Sequence, residues 1–284
     1  MSNVIACIDG SSAATPVCDY AAWAAARLAA PLMLLHVLDQ SRYPMENDLS
    51  GNLGVGEREH LLTELAELDA RRNKMALEQG RLMLETAKAR VIADGIAEPV
   101  LRQRHGHLLE SLAELEDETR LLVMGKQGEE HSSDTDNDVG GNVERVVRTL
   151  HSPVLIAQGE FKTPEVVMLA FDSSATTRKG VELLAASPLF KGVSGHLVSV
   201  SKDKHTLRED MEWAEKTIVD GGHQVCTAVL DGDIEPALHA YQQEHNVDMI
   251  VMGAYGHSRL REFFVGSTTN NMLRKASVPH LLLR

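Results

Sequence analysis

The sequence contains no apolar run that approaches the ~20 residues needed for a membrane-spanning helix. Its first ten residues also lack the basic segment and the following apolar segment of a secretory signal. Only three of the 284 residues are cysteine, and Cys7, Cys18 and Cys226 are too scattered for metal-ligand spacing. These absences predict a cytoplasmic protein without membrane contact, and we interpret the cysteines as small buried hydrophobic residues.

Basic residues are also scarce, with 28 Lys and Arg against 41 Asp and Glu and a net charge of −13. Such a charge repels nucleic acid and anionic lipid, so we expect neither as a partner. A nucleotide is still permitted, because backbone N–H groups and helix dipoles attract phosphate whatever the global charge. The length favours two domains, and a hydrophobic content of 43% is sufficient for packed cores.

The chain repeats itself. Residues 4–12 form an apolar run that ends in Asp9 and small polar residues, and residues 167–174 repeat this pattern around Asp172. The two aspartates are 163 residues apart, and the same spacing aligns a second apolar run, residues 32–38, with residues 195–200. Further on, residues 121–125 match residues 249–253 at a spacing of 128. The first copy therefore carries about 35 extra residues.

The extra residues fall largely in a Gly, Asn and acid-rich loop at residues 39–60 and in a helix predicted over residues 61–94. The apolar positions of this helix slip somewhat in phase and are Leu61, Leu62, Leu65, Leu68, Met75, Leu77, Leu82, Leu84 and Val91. We interpret it as an amphipathic helix that packs on a sheet and has a polar outer face, with a partner-binding helix as the alternative.

Short strands alternate with helices in each copy. In the second copy we predict strands at residues 165–171, 195–200, 225–230, 248–252 and 279–284, with helices at residues 178–186, 207–220, 235–246 and 267–275 between them. This alternation predicts an α/β fold with a parallel sheet and helices on both faces. Both copies end in an apolar run after Pro153 or Pro279, and we expect these two exposed edges to face each other.

The segment most informative about function leaves an apolar strand at Gly253 and enters a helix after Gly266. Gly253 and Gly256 let the backbone approach a phosphate closely, and Gly266 does so at the helix entry, where free N–H groups favour an anion. Ser267 and Thr268 add hydroxyl donors. A Gly-x-x-Gly pair alone indicates only a tight turn, but here the whole set lies at the carboxyl end of a sheet, where such folds bind ligands.

These residues resemble the nucleotide motif of the universal stress proteins in their tandem two-domain form. That motif is Gly, two residues, Gly, nine residues, Gly, then Ser or Thr, and Gly253, Gly256, Gly266 and Ser267 fit it without a gap. The resemblance extends over nearly the whole chain. It implies two Rossmann-like domains of the adenine nucleotide alpha hydrolase type, residues 1–158 and 164–284, each with a five-stranded parallel sheet, forming an internal pseudo-dimer through their last strands.

The resemblance further implies that ATP, ADP or AMP binds to the second domain, with Mg²⁺ or Mn²⁺ as an optional companion of the phosphates. Asp172 takes the carboxylate role of the motif, and Val200 takes the backbone contact to adenine. The expected cofactor-binding residues are Asp172, Ser173, Val200, Met252, Gly253, Gly256, Arg259, Gly266, Ser267 and Thr268. No catalytic residue and no resident metal ligand is expected.

The first copy departs from this pattern. Gly125 and Gly128 are kept, but eleven residues precede Gly140, and Asn142 stands at the hydroxyl position. The intervening stretch carries five carboxylates, which would repel a triphosphate unless metal ions screened them. We therefore predict that the first domain binds ATP weakly or not at all.

Two other segments suggest metal sites less strongly. His105 and His107 flank Gly106, but no acidic or cysteine partner stands at ligand spacing. Because Gly106 and Gly232 occupy matching places after a strand, a shared turn explains them more simply. The acidic run near Asp134 lacks the ordered spacing of a calcium loop, and we interpret it as a solvated loop.

Three functions compete. The first is a nucleotide-binding regulatory protein of the stress response with an unidentified protein partner. The second is an enzyme that hydrolyses ATP slowly or transfers an adenylyl group; the turns after Asp9 and Asp172 lack the glycine pair of the related pyrophosphatase loop, which counts against adenylyl transfer. The third is a scaffold that needs no nucleotide. Whether two chains associate beyond the internal pseudo-dimer is left open by the sequence.

Overall fold

A single ten-stranded sheet runs through both copies in the computed structural model. The structure describes residues 2–38, 55–128, 139–201, 207–254 and 267–284. The first copy contains β1 (Asn3–Cys7), α1 (Ala14–Leu28), β2 (Leu32–Leu38), α2 (Val55–Ala93), β3 (Val100–His105), α3 (Leu108–Ala113), β4 (Thr119–Gly125), α4 (Gly141–Thr149) and β5 (Val154–Ala157). The second contains β6 (Val166–Ala170), α5 (Ala175–Ala186), β7 (Ser194–Val200), α6 (Arg208–Asp220), β8 (Gln224–Leu230), α7 (Ile234–Glu244), β9 (Met249–Gly253), α8 (Ser267–Arg274) and β10 (His280–Leu283).

The strand order is β3-β2-β1-β4-β5-β10-β9-β6-β7-β8, so each copy contributes five parallel strands. Helices α1, α2, α5 and α6 cover one face of the sheet, and α3, α4, α7 and α8 cover the other. The α/β fold predicted from the alternation is confirmed, and the predicted element bounds differ from the observed ones by up to three residues in the second copy.

The two copies meet through β5 and β10, which pair antiparallel with Leu281 opposite Leu155. This confirms that the two exposed edges face each other. The contact has a pseudo-two-fold axis, because Gln158 and Arg284, 126 residues apart, make equivalent bonds. The Gln158 amide donates to the carbonyl of Ala276, and the Arg284 guanidinium donates to the carbonyl of Leu150 at 3.0 Å. Each copy thereby satisfies a carbonyl at the end of the other copy's last helix.

The prediction for α2 is wrong in two respects. The helix has 39 residues and begins at Val55, six residues inside the predicted loop, where the Gly- and Asn-rich stretch gives way to charged helix-forming residues. Among the described side chains of α2, from residue 63 onward, those that pack on the sheet as predicted lie in the C-terminal part, where Leu84, Ala87 and Val91 are buried. The outer face of the helix is not purely polar, because several predicted packing residues are exposed: Leu65, Leu68, Met75, Leu77 and Leu82.

The interpretation of the cysteines is correct for Cys18, which is buried, and wrong for Cys226, which is exposed. Cys226 lies on β8, and β8 is an edge strand of the sheet, so its side chains are covered less than those of the central strands. Cys7 is covered but not fully buried. None of the described helices combines the length and the apolar character that a bilayer span requires.

Candidate functional site

The carboxyl ends of β6, β7 and β9 bring the predicted residues of the second copy together. Strands β6 and β9 are neighbours, with Ala170 paired to Met252, so Asp172 follows one strand where Gly253 ends the other. Val200 ends β7 on the opposite side of β6. Asp172 and Gly253 thus lie on either side of the position at which the direction of chain crossover reverses, the usual ligand position of an open α/β sheet.

The turn after β6 is fixed by the Asp172 carboxylate. Its Oδ1 accepts hydrogen bonds from the Ser174 backbone N–H at 3.0 Å and from the Thr177 hydroxyl at 2.7 Å. The Ser174 hydroxyl caps α5 by accepting from the Thr177 N–H at 3.3 Å. Within the described residues, Asp172 Oδ2 accepts no hydrogen bond and is the oxygen left for a ligand.

Ser173 holds an unusual conformation in this turn. Its φ is +62°, in the left-handed region that few residues other than glycine adopt, and its hydroxyl oxygen is buried with no partner among the described residues. Backbone strain and unpaired polar atoms of this kind cluster at ligand sites. Arg178, which the sequence did not single out, donates to the Ser173 carbonyl at 3.3 Å and supports the turn from behind.

The start of α8 is anchored to the end of β9. The Thr269 hydroxyl donates to the Ala254 carbonyl at 3.3 Å, so the first turn of α8 lies directly after the strand. Ser267 and Thr268 are the first two residues of this helix. Gly256, Arg259 and Gly266 lie outside the described residues.

The first copy has a pocket at the equivalent place, with an empty volume of about 800 Å³. Its apolar wall includes Val37 and Met124, and its polar wall includes Asp9, Gly140 and Asn142. Asp9 Oδ1 accepts from the Ser11 N–H at 3.0 Å, the same bond that Asp172 makes in the second copy. The prediction that this half binds ATP weakly rests on residues 129–138, which lie outside the described part of the chain.

Two glycines of this pocket lie so close to neighbouring oxygen atoms that a side chain at either position would crowd them. The Gly140 N–H donates to the Lys126 carbonyl at 2.9 Å, and a Cβ built on Gly140 would lie 3.3 Å from that carbonyl oxygen. A Cβ on Gly128 would lie 3.2 Å from Asp9 Oδ2. Gly140 immediately precedes α4, as Gly266 precedes α8, so Gly141 and Asn142 replace Ser267 and Thr268. The first copy therefore retains the glycine framework and lacks both hydroxyls.

The electrostatics of the first pocket are set by burial. Burial, together with the nearby Asp9 carboxylate, raises the pKa of the Cys7 thiol to about 12, so Cys7 lines the pocket as a neutral group. The Lys126 ammonium donates to the Arg274 carbonyl at 2.8 Å, at the end of α8. The matching residue of the second copy is Ala254, which has no charge to place there.

Of the two segments considered as metal sites, only the one around Gly106 lies within the described residues. Gly106 and Gly232 have φ of +112° and +110°, so both strands end in the same left-handed turn, as the matching positions predicted. The part of the chain that the structure describes holds no group of three His, Cys, Asp or Glu residues placed to bind a metal ion. The acidic run near Asp134 falls outside the described residues.

Comparisons with known proteins agree with this architecture. A family model described as the universal stress protein family matches residues 1–158 and 198–284. The chain is 34% identical over 288 residues to universal stress protein Slr1230 of Synechocystis sp., with 100% of both chains covered. It is 28% identical over 104 residues to universal stress protein MJ0577 of Methanocaldococcus jannaschii, covering 34% of this chain and 64% of that protein.

Solved structures show the same fold over the full length. A universal stress protein from Archaeoglobus fulgidus superposes with a TM-score of 0.71 at 18% identity, covering 99% of this chain and 96% of that one. A second, described as a putative universal stress protein from Pseudomonas aeruginosa, superposes with a TM-score of 0.63 at 15% identity, covering 100% and 93%.

Proposed function

The chain belongs to the universal stress protein family, and from that premise we propose that its second copy binds an adenine nucleotide, ATP or its products ADP and AMP, in a regulatory role. The main observation behind the proposal is that three elements meet at the carboxyl ends of neighbouring strands. These are the Asp172 turn, the end of β9 at Gly253 and the N-terminus of α8.

Each element supplies a different part of nucleotide recognition. The first turn of α8 offers backbone N–H groups without intrahelical partners and the positive end of a helix dipole, which favour phosphate oxygens. Asp172 Oδ2 suits a ribose hydroxyl or a water on an accompanying Mg²⁺ or Mn²⁺. We expect Val200, at the end of β7, to make a backbone contact to adenine. The strained turn and the helix dipole support binding of an anion at this position.

The N-terminus of α8 can be tested by nucleotide titration of the full chain. In Gly266→Glu a carboxylate stands where the phosphates bind, and we expect the affinity for ATP to fall at least tenfold, or about 1.4 kcal/mol. The control is Gly141→Glu, which puts the same charge at the start of α4, where a Cβ meets nothing within 4 Å. We expect the control to bind as the wild type does.

The outcomes separate the alternatives. If Gly141→Glu loses binding and Gly266→Glu binds fully, the nucleotide binds to the first copy and the proposal is wrong. Equal, unchanged affinity in both variants would refute the proposed phosphate position. Mass spectrometry of denatured, freshly purified protein adds a second test. Retained AMP, ADP or ATP is expected, whereas a protein that neither retains nor binds nucleotide would be a scaffold.

A further inference from the structure

Helix α2 carries a second apolar face that nothing in the described chain covers. Its sheet-facing side is marked by Gly80, where a Cβ would lie 2.5 Å from the His36 ring, and continues through the buried Leu84. Met75 precedes Leu84 by nine residues, or two and a half helical turns, and therefore lies on the opposite side. The phase slippage noted in the sequence thus reflects two apolar faces on one helix.

The outward face is a regular stripe. Leu68, Met75 and Leu82 follow one another at intervals of seven residues and are 49%, 74% and 53% exposed. The same spacing extends in the sequence to Leu61. A seven-residue apolar repeat places one line of apolar side chains along the helix, which corresponds to one of the two apolar positions of a coiled-coil heptad, and it is narrower than the wide apolar face with which a helix lies on a membrane. We call these residues the α2 stripe.

The α2 stripe is complementary to itself in the antiparallel direction. When Leu68 is placed opposite Met75 of a second helix, Met75 falls opposite Leu68 and Leu82 falls opposite Leu61, so every apolar position meets another. The same register sets Asp69 opposite Lys74, beside the central layer.

The charges along α2 favour the same direction. Residues 57–69 contain five acidic residues and one arginine, whereas residues 70–82 contain four basic residues and one glutamate. In the antiparallel register, residues 61–69 with their three carboxylates face residues 74–82, which contain Lys74 and Arg81 against one glutamate, while Arg71 faces Arg72 of the other helix. Parallel pairing would bring all the like charges of the two helices together and is therefore less favourable. From these observations we propose that the α2 stripe binds the α2 stripe of a second copy of this chain in an antiparallel helix pair.

The first test is the oligomeric state of the full chain by sedimentation velocity over a range of micromolar concentrations. We expect a dimer that Met75→Glu converts to a monomer, because the substitution places a carboxylate opposite Leu68 in each of the two Leu68–Met75 layers. Val219→Glu on α6 is the control, since Val219 is a similarly exposed apolar residue at 51%. A wild type that is monomeric throughout the range, or a dimer that persists in Met75→Glu, overturns the proposal.

The second test fixes the register by disulfide crosslinking in a Cys226→Ser background, which removes the exposed thiol. A mixture of the Leu68→Cys and Met75→Cys variants should crosslink under mild oxidation much faster than either variant alone. Faster crosslinking of each variant with itself would indicate parallel pairing and contradict the proposed direction. The charge reversal Lys74→Asp should weaken the dimer, and the added change Asp69→Lys should restore it.

Discussion

A buried histidine at the contact between the two copies should make the stability of this protein depend on pH. His280 begins β10 opposite Ile156, and it is buried. Its Nδ1 bonds to the Val278 carbonyl at 2.9 Å, while Nε2 has no partner among the described residues. Burial, with smaller contributions from His239 and Lys126 and against the opposing effect of the Val278 hydrogen bond, lowers the pKa of His280 to about 4, from about 6.5 for an exposed histidine.

Proton linkage gives the sign and the size of the change in the free energy of unfolding with pH. Above pH 6.5 the imidazole is neutral in both the folded and the unfolded chain and contributes no pH dependence. As the pH falls from 6.5 towards 4, His280 binds a proton in the unfolded chain but stays largely neutral in the folded chain, so the free energy of unfolding decreases. Relative to pH 8, the loss from this single residue is about 2 kcal/mol at pH 5 and about 3 kcal/mol at pH 4.

The perturbation that isolates this effect is His280→Val, because the repeat places a buried valine, Val154, at the equivalent position of β5. Urea unfolding at pH 8 and pH 5 should show that the variant loses about 2 kcal/mol less than the wild type between these values. Other titrating groups contribute equally to both proteins and cancel in the difference. His105→Gln, which removes an exposed histidine, is the control and should follow the wild type. Parallel pH profiles for wild type and His280→Val would refute the reasoning.

Two further predictions concern core packing and the ion pair of Asp248 with the linker residue Lys162. A Cβ on Gly125 would lie 2.5 Å from the Ala13 Cβ, whereas a Cβ on the equivalent Gly253 would lie 3.3 Å from its nearest neighbours. In urea unfolding, Gly125→Ala should therefore lower the free energy of unfolding by about 1–3 kcal/mol and Gly253→Ala by less than about 1 kcal/mol. A larger cost for Gly253→Ala would contradict this order. Burial of Asp248 alone would raise the pKa of its carboxyl group, but hydrogen bonds from Lys162 and from two backbone N–H groups lower this pKa below 3.8. The ionised carboxylate therefore stabilises the fold above pH 3.8, and this stabilisation is lost as the pH falls through the pKa of the folded state. Asp248→Asn should therefore cost about 1–3 kcal/mol at neutral pH and less at pH 3, whereas an equal cost at both would exclude the charge as the cause.

Internal repetition made the fold accessible from sequence. Matching the two aspartates at a spacing of 163 residues aligned β2 with β7 in the register observed, because paired strands keep their offset when a domain is duplicated. The sheet edges at β5 and β10 followed from the rule that unpaired edges are covered. These inferences needed only the order of residues along the chain.

What the sequence did not reveal depends on where an element lies relative to its neighbours. Periodicity identified the apolar residues of α2 but could not show which side of the helix packs on the sheet, the one that buries Leu84 or the one that leaves Met75 exposed. Cys226 is exposed because β8 is the last strand, a fact of strand order. The bond from Thr177 to Asp172 required the turn geometry, although the Ser-x-x-Thr spacing after Asp172 was a readable capping signal.

The asymmetry between the copies gives a physical reason for carrying both in one chain. Lys126 of the first copy extends to the end of α8 in the second and lies near His280, so the two side chains form a buried cluster of an ammonium and a neutral imidazole across the contact. In a dimer of identical chains each of these residues would occur twice, and the contact would bury two ammonium groups with two histidines. Here the equivalent positions hold Ala254 and Val154, which are apolar, so only one cluster forms. Fusion of the two copies into one chain therefore allows this polar cluster to form on one side of the pseudo-two-fold axis only. It also links the C-terminal end of α8 to Lys126, in the glycine loop of the other copy.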